Sequence, residues 1–215
     1  MLVDTRARNA GVILNVENNL GSTTIAPYPP KLFENKGGRF VDVTGVTCND
    51  MLDIGLVTSA IWTDFDNDKD KDLMLVGEFM PITIFKNENG KIQNSVPIAI
   101  GITIKNSSGW WNTITQGDFD KDGDMDYIAG NLGLNSNLKA SIKEPVCLYA
   151  NDFDENGSLD PILCHYLNGI EQTVVSRDKL IGQIPPIKVR FDTYKKYANA
   201  TFADVFKRPE KKGMQ

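Results

Sequence analysis

Aspartate recurs at alternate positions in three nine-residue windows, 64–72, 118–126 and 152–160, and that spacing is chemically specific. Carboxylates on every second residue of a tight loop can converge on one point. A hard cation that takes six to eight oxygen ligands, as calcium does, can be enclosed that way. Counting each window from its first aspartate, side-chain ligands fall at positions 1, 3, 5 and 9, and a backbone carbonyl is expected at position 7. The side-chain sets are Asp64, Asp66, Asp68 and Asp72; Asp118, Asp120, Asp122 and Asp126; and Asp152, Asp154, Asn156 and Asp160. The carbonyl ligands are expected from Asp70, Asp124 and Ser158. Three calcium ions are therefore expected, in a structural role.

Position 6 should need a left-handed backbone, which Gly123 and Gly157 adopt without a steric cost. Lys69 stands there in the first loop, and a side chain at such a position costs about 1 kcal/mol. With Lys71 adding a further positive charge near the ion, the loop at 64–72 is expected to bind most weakly and that at 118–126 most tightly.

Two other acidic-loop chemistries fit less well. An EF-hand needs a bidentate glutamate at position 12 between two helices, and here position 12 is Leu75, Ala129 and Leu163. A magnesium phosphotransferase would use one Asp-x-Asp pair after a strand, not three. The charge distribution agrees with cation binding. The windows carry −3, −4 and −4, so the rest of the chain sums to +6 within a total of −5. Charge packed so tightly repels itself unless neutralised, and such a surface is a poor partner for nucleic acid.

The elements that must hold these loops read as strands. Short apolar runs leave each window at Leu73 to Val76, Tyr127 to Ala129 and Pro161 to Leu163, and Gly37-Gly38, Asn89-Gly90 and Asn168-Gly169 are hairpin-turn pairs. The first window and its flanks recur 54 residues later. Independently, Leu32-Phe33-Glu34-Asn35-Lys36-Gly37-Gly38-Arg39-Phe40 recurs 52 residues on as Ile84-Phe85-Lys86-Asn87-Glu88-Asn89-Gly90-Lys91-Ile92. Two motifs sharing one period indicate a repeat, and four strands in such a unit match one blade of a β-propeller. The third window follows the second by 34 residues and is irregular. From about Ser176 the pattern turns helical. A capped start is expected at Ser176-Arg177-Asp178, a second helix after Pro185-Pro186 through Tyr197, and a short turn from Thr201. The expected division is residues 1–170 as blades with three calcium loops and 171–215 as a helical insertion or tail, whose face around Arg190, Phe191, Tyr194 and Tyr197 is expected to pack.

Other functional chemistry is sparse. The one histidine, His165, lies in an apolar run, and no nucleophile elbow or phosphate-binding glycine loop occurs. No apolar run reaches the 18 residues of a membrane span. Cys48, Cys147 and Cys164 suit neither a zinc site nor a disulfide framework; buried thiols are expected, with a Cys147–Cys164 bridge across the third window the alternative. Trp110-Trp111 could stack on a ligand, yet by the repeat offset they align with Leu56 and Val57, which favours packing.

The Asp-Phe-Asp-x-Asp/Asn-Gly-x-x-Asp loops, the Phe-x-Asn-x-x-Gly hairpins and Asp42-Val43-Thr44 resemble the FG-GAP or VCBS repeats of calcium-binding β-propellers, the wide group that includes integrin α-subunit heads and cartilage acidic protein. The stretch from Gly109-Trp110-Trp111-Asn112 to Gly130-Asn131-Leu132-Gly133-Leu134-Asn135 is similar to surface VCBS-repeat proteins of Bacteroidetes-type bacteria. The resemblance implies a mainly β fold of about three propeller blades with a small helical C-terminal extension. It implies further blades in a longer chain, a secreted or cell-surface location, and a non-enzymatic scaffold for adhesion or for protein or carbohydrate ligands. The alternative is the propeller portion of an extracellular polysaccharide lyase or hydrolase whose catalytic residues lie elsewhere.

Overall fold

A computed structural model describes residues 10–13, 30–52, 54–95, 104, 107–157 and 160–206. These form a mainly β chain of several antiparallel sheets with short helices. They fall into two compact units, one ending at Leu132 and the other starting at Gly133. Among the described residues, no helix is long and apolar enough to cross a membrane.

In the first unit, β1 (Ala10–Ile13), β2 (Lys31–Lys36) and β3 (Arg39–Asp42) form one antiparallel sheet. A short helix, α1 (Thr44–Thr47), follows. Asp42 accepts hydrogen bonds from the Thr44 N–H and hydroxyl, and Thr44 Oγ1 in turn accepts from the Leu32 N–H at 2.8 Å. The Asp-Val-Thr motif thus fastens the end of β3 to the start of β2. The Thr44 bonds, aided by Lys31, hold the Asp42 carboxyl below its ordinary range.

The next four strands, β4 (Leu56–Thr63), β5 (Asp72–Met80), β6 (Thr83–Glu88) and β7 (Lys91–Ser95), pair each with the next as an antiparallel meander. This is the four-strand unit expected from the repeat. Strand β8 (Gly109–Gly117) touches the far end of β5 through Glu78 and Trp110, then pairs along β9 (Asp126–Asn131).

Side-chain alternation explains why β5 reads as a continuous apolar run. Leu73 and Leu75 face one core with Leu32, Phe85 and Met51, while Met74 and Val76 face another with Ile84, Ile114, Tyr127 and Ala129. Both faces of β5 are therefore covered, one by β2 and the segment carrying Cys48 and Met51, the other by β8 and β9. Trp111 packs on the second of these cores and donates from its indole to the Ser107 carbonyl; Trp110 lies against Phe79 at 5.0 Å. Packing is the role of Trp111, as expected.

The hairpin signals are realised as turns with two left-handed residues, Gly37 and Gly38, Asn89 and Gly90, and Asn168 and Gly169, the twist that two-residue hairpins require. The asparagine of the repeated hairpin motif has a definite task. Asn35 Oδ1 accepts from the Gly38 N–H and Asn87 Oδ1 from the Gly90 N–H, both at 2.8 Å.

In the second unit, β10 (Cys147–Asn151), β11 (Asp160–Leu167) and β12 (Ile170–Thr173) form a three-stranded sheet. Four short helices follow: α2 (Arg177–Gln183), α3 (Ile187–Arg190), α4 (Tyr194–Ala198) and α5 (Phe202–Val205). Their apolar residues Leu180, Ile184, Ile187, Phe191, Phe202 and Val205 share one core with Ile162 and Cys164 of β11.

Two helix expectations change. The single helix expected after Pro185-Pro186 is broken into α3 and α4. Arg177 donates to the carbonyls of Phe191 and Asp192, groups a continuous helix would use internally, and Thr193 accepts from the Lys196 N–H to start a new helix. Ser176 occupies the N-cap of α2 but makes no side-chain capping bond. By contrast, Thr201 and Asp204 form a reciprocal capping box on α5. Phe191 and Tyr197 pack in the core, whereas Tyr194 is exposed with Arg177 over its ring. Residues 207–215 of the expected helical segment lie outside the described residues.

All three cysteines are thiols, and Cys147 and Cys164 are register partners across β10 and β11. Burial pushes the Cys48 thiol up to about 11.

Candidate metal centres

Each aspartate window is the connection of an antiparallel pair: β4 to β5, β8 to β9 and β10 to β11. The last paired residues beneath the loops are Thr63 and Asp72, Gly117 and Asp126, and Asn151 and Asp160. The ninth-position aspartate is thus the first residue of the outgoing strand, and the strand register sets its position against the incoming strand.

The internal hydrogen bonding repeats. The N–H at position 2 donates to the position 9 carboxylate in all three loops, from Phe65 to Asp72, Phe119 to Asp126 and Phe153 to Asp160, at 2.8–3.0 Å. The N–H at position 6 donates to the position 1 carboxylate, from Lys69 to Asp64, Gly123 to Asp118 and Gly157 to Asp152. Further N–H groups bind within the loops, Asp122 to Asp118 and Asp120, and Asn156 to Asp152. These bonds curl the backbone around its own carboxylates.

The curl needs left-handed residues at positions 4 and 6. The latter are Lys69, Gly123 and Gly157, with φ of +76°, +99° and +86°. Lys69 therefore carries the strain expected of it. Asn67, Lys121 and Glu155 at position 4 are also left-handed, at +61°, +66° and +59°. No glycine marks these positions in the sequence, and the signal they carry is their shared place in the repeat.

The loops bring together Asp64, Asp66 and Asp72; Asp118, Asp120 and Asp122; and Asp152, Asp154 and Asp160, with one oxygen from each member within 4.8 Å of the others. Asp68 in the first loop and Asp126 in the second stand outside those triads. Ser158 lies outside the described residues.

The triads differ in setting. Asp72 and Asp160 are buried, at 1% and 4% exposure, and desolvation pushes both carboxyls above their ordinary range. The second triad is exposed. Asp64 Oδ1 and Asp154 Oδ1 are buried without any hydrogen-bond partner. Leaving such an oxygen bare is costly, and a cation at the triad would satisfy it. The donor set, all oxygen and mostly carboxylate, suits a hard divalent ion.

The first loop is also gripped by the repeated hairpin. Asn87 donates its N–H to Asp72 Oδ1 at 2.9 Å and its side-chain amide to the Lys71 carbonyl, and the Asn89 N–H reaches Asp70. Here the two motifs of the repeat meet, which is a physical reason for their common period. Loops one and two are joined at the base, where Thr63 and Tyr127 share a hydrogen bond of 2.7 Å and Phe65 lies 6.2 Å from the Tyr127 ring. In the third loop Phe153 packs on Phe206 at 4.6 Å. His165 lies on β11 opposite Gln172.

Residues 64–129 match the model of the FG-GAP-like repeat. The match starts on the first aspartate of loop one, takes in the hairpin that grips it and all of loop two, and ends within β9. No curated protein and no solved structure matches the chain significantly.

Proposed function

We propose that this chain is a calcium-binding β-propeller segment that serves as a non-enzymatic scaffold. The observation that carries this is the loop itself, present three times with the same N–H cage and converging carboxylates, twice with a buried oxygen lacking any partner. Calcium would be held by Asp64, Asp66, Asp68 and Asp72, by Asp118, Asp120, Asp122 and Asp126, and by Asp152, Asp154, Asn156 and Asp160, with carbonyls from Asp70, Asp124 and Ser158 completing each shell. The ion supplies charge neutralisation across a strand connection, and the protein residues supply its position. Magnesium, smaller and demanding near-ideal octahedral geometry, suits a wide carboxylate loop less well.

A secreted or cell-surface setting, where free calcium is abundant, fits loops of modest affinity, and stacked sheets with rigid loop ends suit adhesion or the binding of protein or carbohydrate ligands. Titration calorimetry tests the reading. Calcium should bind with a Kd on the order of 10⁻⁴ to 10⁻³ M, and magnesium more weakly. Absence of any calcium heat or saturable uptake would remove the proposal.

A further inference from the structure

The three loops differ in one respect that their aspartates do not reveal. In loop one the side chain of Lys86, from β6, enters the acidic cluster, with its ammonium 2.5 Å from Asp66 Oδ2 and 3.5 Å from Asp68 Oδ2. Among the described residues, no lysine or arginine makes an ion pair with the carboxylates of loops two or three. Lys86 is held in place by its neighbours. Asn87 is clamped to Asp72 and Lys71, and Asn89 to Asp70, so the segment that carries the ammonium is tied to the loop it neutralises. The contact lowers the proton affinity of Asp66 and raises that of Lys86, as a close ion pair does.

We propose that Lys86 is a tethered counter-ion for loop one: its ammonium stands between the carboxylates at positions 3 and 5, holds the loop closed without metal, and must be displaced before calcium can enter. The inference rests on the calcium reading given above and concerns its regulation. An ammonium and a divalent ion cannot occupy one cluster without strong repulsion. Calcium therefore fills loops two and three first and loop one last, and the meander β4 to β7 keeps its loop conformation when calcium is low. Lys69 and Lys71 add to the same bias, but neither forms an ion pair with the loop's aspartates.

The test is Lys86→Met, which keeps the alkyl chain and removes the charge, with Lys86→Arg as the charge-retaining control. Calcium uptake is measured by flow dialysis on the whole chain, with calcium alone as the probe. The same measurement on chains that also carry Asp118→Ala and Asp152→Ala isolates loop one. The expected result is a weakest site that tightens by roughly tenfold or more in Lys86→Met, in line with the dependence of such loops on local charge, and stays weak in Lys86→Arg. If the wild type fills three equal sites and Lys86→Met changes none of them, the counter-ion role is overturned while the calcium reading stands. If neither the wild type nor Lys86→Met takes up calcium, both fall. Should the isolating substitutions prevent folding, the weakest step of the whole-chain isotherm gives the same comparison.

Discussion

Asp72→Ala will cost the first unit about 2–6 kcal/mol even with chelator present, because the carboxylate holds the loop's backbone whether or not a cation is bound. Its two oxygens accept the N–H groups of Phe65 and Asn87, both at 2.9 Å, beneath a side chain that is 1% exposed. Removing the carboxylate strands two donors where water is scarce, and each stranded group costs about 1–3 kcal/mol. For a unit of this size the melting temperature should fall by roughly 10 °C or more. The matched control is Asp126→Ala. Asp126 is half-buried, and among the described residues its carboxylate accepts from Phe119 alone, so water can replace the one lost bond and the cost should stay below about 1 kcal/mol. Equal losses for the two variants, by urea denaturation in chelator, would contradict this account of position 9.

The second large effect is expected at Phe202→Ala. Phe202 is 1% exposed, stacks on Tyr149 of β10 at 4.7 Å and meets Phe206 at 4.9 Å. Its core joins the helices to β11, and large-to-small changes at such aromatic sites cost about 3–5 kcal/mol. That is a large share of the 5–15 kcal/mol by which domains are usually stable. Because Phe153 of loop three packs on Phe206 in the same cluster, the third aspartate loop should loosen as well. Near-UV circular dichroism and a urea melt give the readout, with Val189→Ala, at a site 86% exposed, expected to stay within about 0.5 kcal/mol of wild type. A helical segment that could lose Phe202 without loss of stability would be an appendage rather than part of the core.

The aspartate loops were the most legible part of the chain because their information is local. Alternating aspartates and a glycine at position 6 specify a curl over nine residues, and the structure forms that curl at Gly123 and Gly157 and, with strain, at Lys69. Hairpin turns at Gly37-Gly38, Asn89-Gly90 and Asn168-Gly169 were legible for the same reason. What could not be read depends on contacts across the fold. Left-handed backbone at Asn67, Lys121 and Glu155 follows from closing the loop, and those residue types do not demand it. The clamp of Asn87 on Asp72 and the reach of Lys86 into loop one join residues about 15 to 20 positions apart, which no spacing rule couples. Likewise the break between α3 and α4 depends on Arg177 capturing carbonyls 14 and 15 residues away. Helix period alone continues through Tyr197.

The two-sided burial of β5 is an intermediate case. An apolar run from Leu73 to Val76 signals a fully buried strand, yet it does not say what covers each face. The structure supplies the answer, with Leu32 and Phe85 on one side and Ile114 and Tyr127 on the other. In the first unit β5 thus buries on its neighbours what it could not bury alone, whereas β11 of the second unit is covered by the helices that follow it.

The most direct test of the central claim is the thermal melt of the wild-type chain in millimolar calcium and again in excess chelator. Ions that bind only the folded loops stabilise it by mass action, about 1–3 kcal/mol per site when the ion is tenfold to a hundredfold above its Kd. The account predicts a melting temperature several degrees higher in calcium, reversed by chelator and smaller in magnesium; an identical melt in all three conditions would contradict it.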